Sequence, residues 1–82
     1  LFVYPDEKIR NFWMKHTPLS LDMIFLDAGF TIVDIHTAQP CKEEEECLPY
    51  SSTKEAQYVL EVNAGTAERY NLNIGDRIIA SI

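Results

Sequence analysis

The residues of this chain that could do chemistry fall in three places. The first is Trp13-Met14-Lys15-His16-Thr17, followed closely by Asp22. An indole, an ammonium, an imidazole, a hydroxyl and a carboxylate are the parts of a polar pocket with an aromatic wall. Such a pocket suits a sugar or another small polar ligand. The same residues also admit a structural role, with Trp13 in the core, Thr17 capping a turn and Asp22 accepting backbone N–H bonds. A third reading makes His16 a general acid or base, with Asp22 as its orienter and Lys15 beside it, as in a small hydrolase or transferase. No nucleophile elbow and no Ser or Cys in a catalytic context accompanies that set.

The second place holds Cys41 and Cys47 with Glu43 to Glu46 between them. The two thiols could pair, stay reduced or join a metal. Zinc would need His16 and His36 as further ligands, at a spacing that fits no zinc knuckle, so no metal and no cofactor are expected. Four neighbouring carboxylates raise thiol pKa values and disfavour thiolate chemistry. They also lack the staggered oxygens of a calcium loop and read as a solvated acidic loop. The third place is Glu61, Asn63, Arg69 and Asp76. Glu61 and Asn63 share a strand face, Arg69 is the expected cation for Glu61, and Asp76 is expected to bond its own turn. Glu61 is also a ligand-binding candidate beside Trp13, Lys15, His16, Thr17 and Asp22.

The elements that must position these groups are mostly strands. Leu1 to Tyr4 reads as a strand closed by Pro5-Asp6, and Phe12 to Lys15 as a second, with Phe12 and Met14 opposite Trp13 and Lys15. Leu21 to Asp27 is apolar on both faces and is expected to be central. Asp27 to Phe30 is a hairpin turn in which Gly29 can supply a positive φ. Thr31 to Thr37 returns with Asp34 and His36 on a wet face. Residues 38–54 form a long loop, and Tyr58 to Asn63 is the cleanest strand. A short helix near residues 66–71 must be held by Ala67, Tyr70 and Leu72. Arg77 to Ile82 closes the chain as a strand. The expected fold is mainly β, a small barrel or sandwich of five or six strands, mostly antiparallel, with that one helix.

Eighty-two residues allow one domain and one core, residues 1–82. Apolar residues at 46% and charged residues at 24% are globular proportions and argue against disorder. The net charge is −6, half of it from Lys42 and Glu43 to Glu46, which argues against a nucleic-acid partner. No apolar run is long enough for a membrane span.

Two segments are more specific than this. Phe12-Trp13-Met14-Lys15-His16-Thr17 leading to Leu21-Asp22, and Val59-Leu60-Glu61 followed by Ala64-Gly65, the helix and Gly75-Asp76, together resemble the family called domain of unknown function 192. Pro40-Cys41 to Cys47-Leu48-Pro49-Tyr50 resembles that family's Pro-Cys…Cys-Pro loop. His16 stands where the family usually has Asn, and Ser20 where it usually has Pro. A Gly-Leu-Met segment that usually comes before the equivalent of Leu1 is absent from this sequence. The resemblance implies a compact mainly β fold, frequent export, and no known reaction. In an exported, cell-envelope protein, preferred here over a cytoplasmic one, Cys41 and Cys47 are expected to form a disulfide. The missing segment implies a domain short of its N-terminal element, with an exposed sheet edge that invites homo-oligomers. The leading functional expectation is a non-enzymatic accessory module binding a small polar ligand or a protein partner. The alternatives are the His16 and Asp22 hydrolase or transferase, and an interaction module that uses its acidic loop.

Overall fold

The structure, a computed structural model, describes residues 1–14, 17–41 and 46–78. Among the described residues six strands appear in chain order: β1 (Phe2–Lys8), β2 (Asn11–Phe12), β3 (Leu21–Leu26), β4 (Ile32–Ala38), β5 (Tyr50–Ser51) and β6 (Ala56–Asn63). One helix, α1 (Thr66–Arg69), follows. Four strands form an antiparallel sheet in the order β1-β6-β3-β4, and β2 pairs with β5 in a separate antiparallel ribbon. The fold is mainly β, as the sequence predicts, and no closed barrel forms among the described residues.

The double-sided apolar pattern of β3 has its expected consequence. β3 lies between β6 and β4, and Asp22 to Leu26 are all buried. On one face Met23 and Phe25 pack with Met14, Ala38, Ala56 and Val59, and the β2–β5 ribbon covers them through Phe12 and Tyr50. On the other, Ile24 and Leu26 pack with Ile32 and Ala67, flanked by Leu60, Val62, Leu72 and Ile78. Each fully buried large apolar side chain in these two layers contributes about 1.5–3 kcal/mol. The result is three layers: ribbon, sheet, and the helix with the segment after it.

Three local readings are corrected. β1 does not stop at Pro5-Asp6 but continues to Lys8, with its pairing to β6 shifting register between Val3 and Lys8. A proline is tolerated there because β1 is an edge strand and the irregularity absorbs the missing donor. In the β3–β4 turn it is Phe30, not Gly29, that has the positive φ, 63°. The turn is held by Asp27, whose Oδ1 accepts the N–H groups of Gly29 and Thr31, each at 2.9 Å. The Phe30 ring is stacked on Tyr58 with centroids 4.5 Å apart. The strained backbone is therefore held by tertiary packing. Finally, residues 38–54 are not one open loop, because Tyr50–Ser51 pairs with β2 and Ser52 is buried. Arg77 bridges to Thr31, while the rest of the expected final strand, residues 79–82, lies outside the described residues.

Candidate functional site

Trp13 follows β2 directly. Phe12 and Met14 turn into the core, so the alternation puts the indole on the outside, and it is 64% exposed. It is nevertheless fixed, because Nε1–H donates to the Cys47 carbonyl at 2.7 Å. That carbonyl belongs to the loop closed by the Cys41–Cys47 disulfide, whose Cα atoms are 5.9 Å apart. The indole is thus a held aromatic platform, with its only polar atom used and its ring left for contact by stacking.

Two clefts flank Pro49 beside it. One, of about 340 Å³, is lined by Asn11, Phe12, Trp13 and Pro49. The other, of about 390 Å³, includes Gln39, Glu46, Leu48 and Tyr50 among its walls. The polar groups are already oriented. Ser20 Oγ donates to Gln39 Oε1 at 2.7 Å, which leaves the Gln39 amide N–H groups as donors. The Gln39 backbone N–H donates to Tyr50 Oη at 3.2 Å, so the phenol keeps its own hydrogen to give. Ser51 Oγ donates to Asn11 Oδ1, leaving that amide nitrogen as a donor as well. Glu46 supplies acceptors. Neutral donors, one carboxylate and apolar walls suit an uncharged hydroxylated ligand better than an anion.

The other predicted site residues are placed as follows. Lys15 and His16 lie outside the described residues, as do Glu43 to Glu45 of the acidic run. Thr17 is half-buried, its N–H donating to the Met14 carbonyl at 3.1 Å. Asp22 is 2% exposed on the opposite face of the sheet from the ribbon. Thr37 Oγ1 donates to its Oδ1 at 2.8 Å, and the N–H groups of Gly65 and Ala67 both donate to Oδ2 at 3.0 Å. A strand carboxylate therefore caps a helix distant in sequence, where Gly65 (φ 93°) has no side chain to do it. Glu61 pairs in register with Met23 on the ribbon side, so the sheet separates it from Asp22 and α1. Arg69 is accordingly not placed to pair with Glu61, and its guanidinium lies over Tyr70. Asp76 does bond its own turn, accepting the Asn73 N–H at 2.9 Å. Asp22 and Trp13 do not share a cleft.

One polar cluster escaped the sequence reading. Asp34 and His36 were expected on a wet face, yet Asp34 is only 5% exposed because β5 and the residues after it cover β4. Asp34 Oδ2 accepts the Thr53 N–H at 2.8 Å and stands 2.9 Å from His36 Nε2. The same nitrogen is 2.9 Å from the Ser51 carbonyl. Both neighbours are acceptors, so Nε2 carries the hydrogen. Burial pushes the Asp34 carboxyl up, but the Thr53 N–H, the His36 ring and the Ile35 N–H together hold it below the usual carboxylate range. The available signal was the i, i+2 spacing of Asp34 and His36, which puts both on one strand face. The covering segment could not be foreseen. Among the described residues no three His, Cys, Asp or Glu side chains gather closely enough to hold a metal ion. No described helix is long and apolar enough to cross a membrane.

Residues 1–80 match the family DUF192, Uncharacterized ACR. A UPF0127 protein of Pyrococcus abyssi (strain GE5 / Orsay) is 31% identical over 83 residues, taking in 95% of this chain and 63% of its own length. A UPF0127 protein of Pyrococcus horikoshii is likewise 31% identical, over 95% of this chain and 64% of its own length. The chain thus spans a little under two thirds of these curated relatives. A crystal structure from Sinorhizobium meliloti 1021, provisionally described as that of a transcription regulator, superposes with a TM-score of 0.81 at 39% identity. That likeness covers 93% of this chain and 57% of the other. With a family match that takes in both of its distinctive segments and nearly its whole length, the chain belongs to the DUF192 family.

Proposed function

We infer that this domain acts by binding, and that its ligand is a small uncharged polyhydroxy compound of saccharide type held on the Trp13 face. The observation that carries this reading is Trp13 itself, 64% exposed yet pinned through Nε1 to Cys47. Leaving a large indole in water forgoes its burial energy. An exposed aromatic held in one orientation is the arrangement that a stacking ligand uses. The amides of Asn11 and Gln39, the Tyr50 hydroxyl and the Glu46 carboxylate supply a hydroxylated ligand with both donors and acceptors. The disulfide supports an exported, oxidising setting. The name of the Sinorhizobium neighbour points instead to nucleic acid, which the net charge of −6 disfavours.

Trp13 is the one tryptophan of the chain, so its fluorescence reports on this face alone. Titration with N-acetylglucosamine, maltotriose and chitotriose is expected to shift its emission saturably, and Trp13→Ala to abolish the heat of binding in calorimetry. No response to any of the three at millimolar concentration overturns the saccharide reading. Saturable binding of a labelled DNA duplex instead would favour nucleic acid.

A further inference from the structure

We propose that a second cleft, on the face of the sheet away from the ribbon, binds an aliphatic amine of polyamine type. It lies where β3 and β4 meet residues 65–73 and holds about 470 Å³, within the roughly 300–1,000 Å³ of small-molecule sites. Its charged walls are Asp22 and Glu68, and no Lys or Arg joins them. The one cation of α1, Arg69, lies over the Tyr70 ring instead. The apolar walls are Ile35, Ala67 and Leu72, all from the helix-side layer of the core. Two carboxylates beside aliphatic walls match an ammonium carried on a chain of methylenes.

Hydrogen bonding points the same way. The N–H groups of Gly65 and Ala67 are given to Asp22 Oδ2, and that of Asn73 to Asp76 Oδ2. The Asn73 amide nitrogen donates to the Asn71 carbonyl at 3.1 Å, which leaves Asn73 Oδ1 to accept. Thr37 Oγ1 spends its hydrogen on Asp22 Oδ1 and keeps its own lone pairs. Asp22 Oδ2 is filled by two donors, but Oδ1 takes only one and has an acceptor position left, on a side chain 2% exposed. The capacity remaining in the cleft is thus mostly for accepting: Asp22 Oδ1, Thr37 Oγ1, Asn73 Oδ1 and the Glu68 carboxylate. An ammonium brings three donors and no acceptor. A metal ion fits less well, because no three His, Cys, Asp or Glu side chains gather among the described residues. The net charge of −6 adds a long-range attraction for a polycation.

The test is a titration with putrescine and with spermidine at low salt, followed by nitrogen–proton correlation spectroscopy. The amides of Thr37, Gly65, Ala67 and Asn71 read the cleft, and the Trp13 indole reads the opposite face. Saturable shifts are expected at the four amides and none at the indole. Butane-1,4-diol, which has the carbon chain of putrescine without its charge, should shift nothing. Glu68→Gln removes one exposed charge and should weaken binding about threefold to fivefold. Glu68→Lys places an ammonium at the cleft itself and should abolish binding, with the amides of Ile24 and Phe25 in β3 reporting an intact sheet. No saturable shift at the four amides with either amine at millimolar concentration overturns the proposal. So does an equal response to the diol, which would make the cleft indifferent to charge. Shifts spread over the surface and unchanged by Glu68→Gln also overturn it, because they would show only diffuse attraction of cations to an acidic chain.

Discussion

Asp22 offers the sharpest test of how this fold is held. Asp22→Ala would remove the acceptor of three donors at once: the Thr37 hydroxyl and the N–H groups of Gly65 and Ala67. An unmade buried hydrogen bond costs about 1–3 kcal/mol. Here the lower value applies, because Asp22 also lines a cleft of about 470 Å³ through which water can reach the stranded groups. The sum is about 3 kcal/mol, a large part of the roughly 4–12 kcal/mol expected of a domain this size. Asp22→Asn should behave differently. Its amide oxygen can take both backbone N–H groups, and its amide nitrogen can donate to Thr37 Oγ1, which then accepts instead of donating. That exchange gives up the charge but strands nothing, for a cost of about 1 kcal/mol. Urea unfolding at neutral pH, followed by far-ultraviolet circular dichroism, measures both. If the alanine variant stays within about 0.5 kcal/mol of the parent, or the asparagine variant is as damaging as alanine, the capping account is wrong.

Three further outcomes follow from other sites. The Asp34 carboxyl is held below the usual range in the folded chain, so it contributes stability that is present above about pH 4 and lost as pH falls through its folded value. Asp34→Asn should therefore flatten the acid limb of a plot of stability against pH, and an unchanged limb would count against the pairing. Phe30→Gly relieves a left-handed backbone by about 1 kcal/mol, but loses the stack on Tyr58 and a half-buried ring. A net loss of about 1–2 kcal/mol is expected in thermal or urea unfolding, and a gain would show that strain outweighs packing there. Trp13→Ala should cost no more than about 1 kcal/mol of stability, since it gives up one hydrogen bond and little burial. A larger loss would make Trp13 a structural residue.

Local pattern carried much of this fold. The apolar faces of β3 set it in the middle of the sheet, period two set Phe12 and Met14 on the face opposite Trp13, and Asp76 bonds its own turn as short-range chemistry predicts. These rest on neighbours within a few residues, which the order of residues alone specifies. What the order of residues leaves open is which distant segment arrives. Asp22 became a helix cap because β3 pairs with β6, and β6 delivers Gly65 and Ala67 to its carboxylate. Asp34 and His36 were read as wet because an alternating strand cannot reveal that Ser51 and Thr53 will lie over it. Glu61 was assigned Arg69 as its cation, but the sheet stands between them. The Trp13 site divides the same way. Its residue types were legible from the chain, but the reading that placed Trp13 in the core fails, because the indole is 64% exposed. The carbonyl that fastens its indole comes from Cys47, and only tertiary packing of the disulfide loop on the end of β2 brings the two into contact.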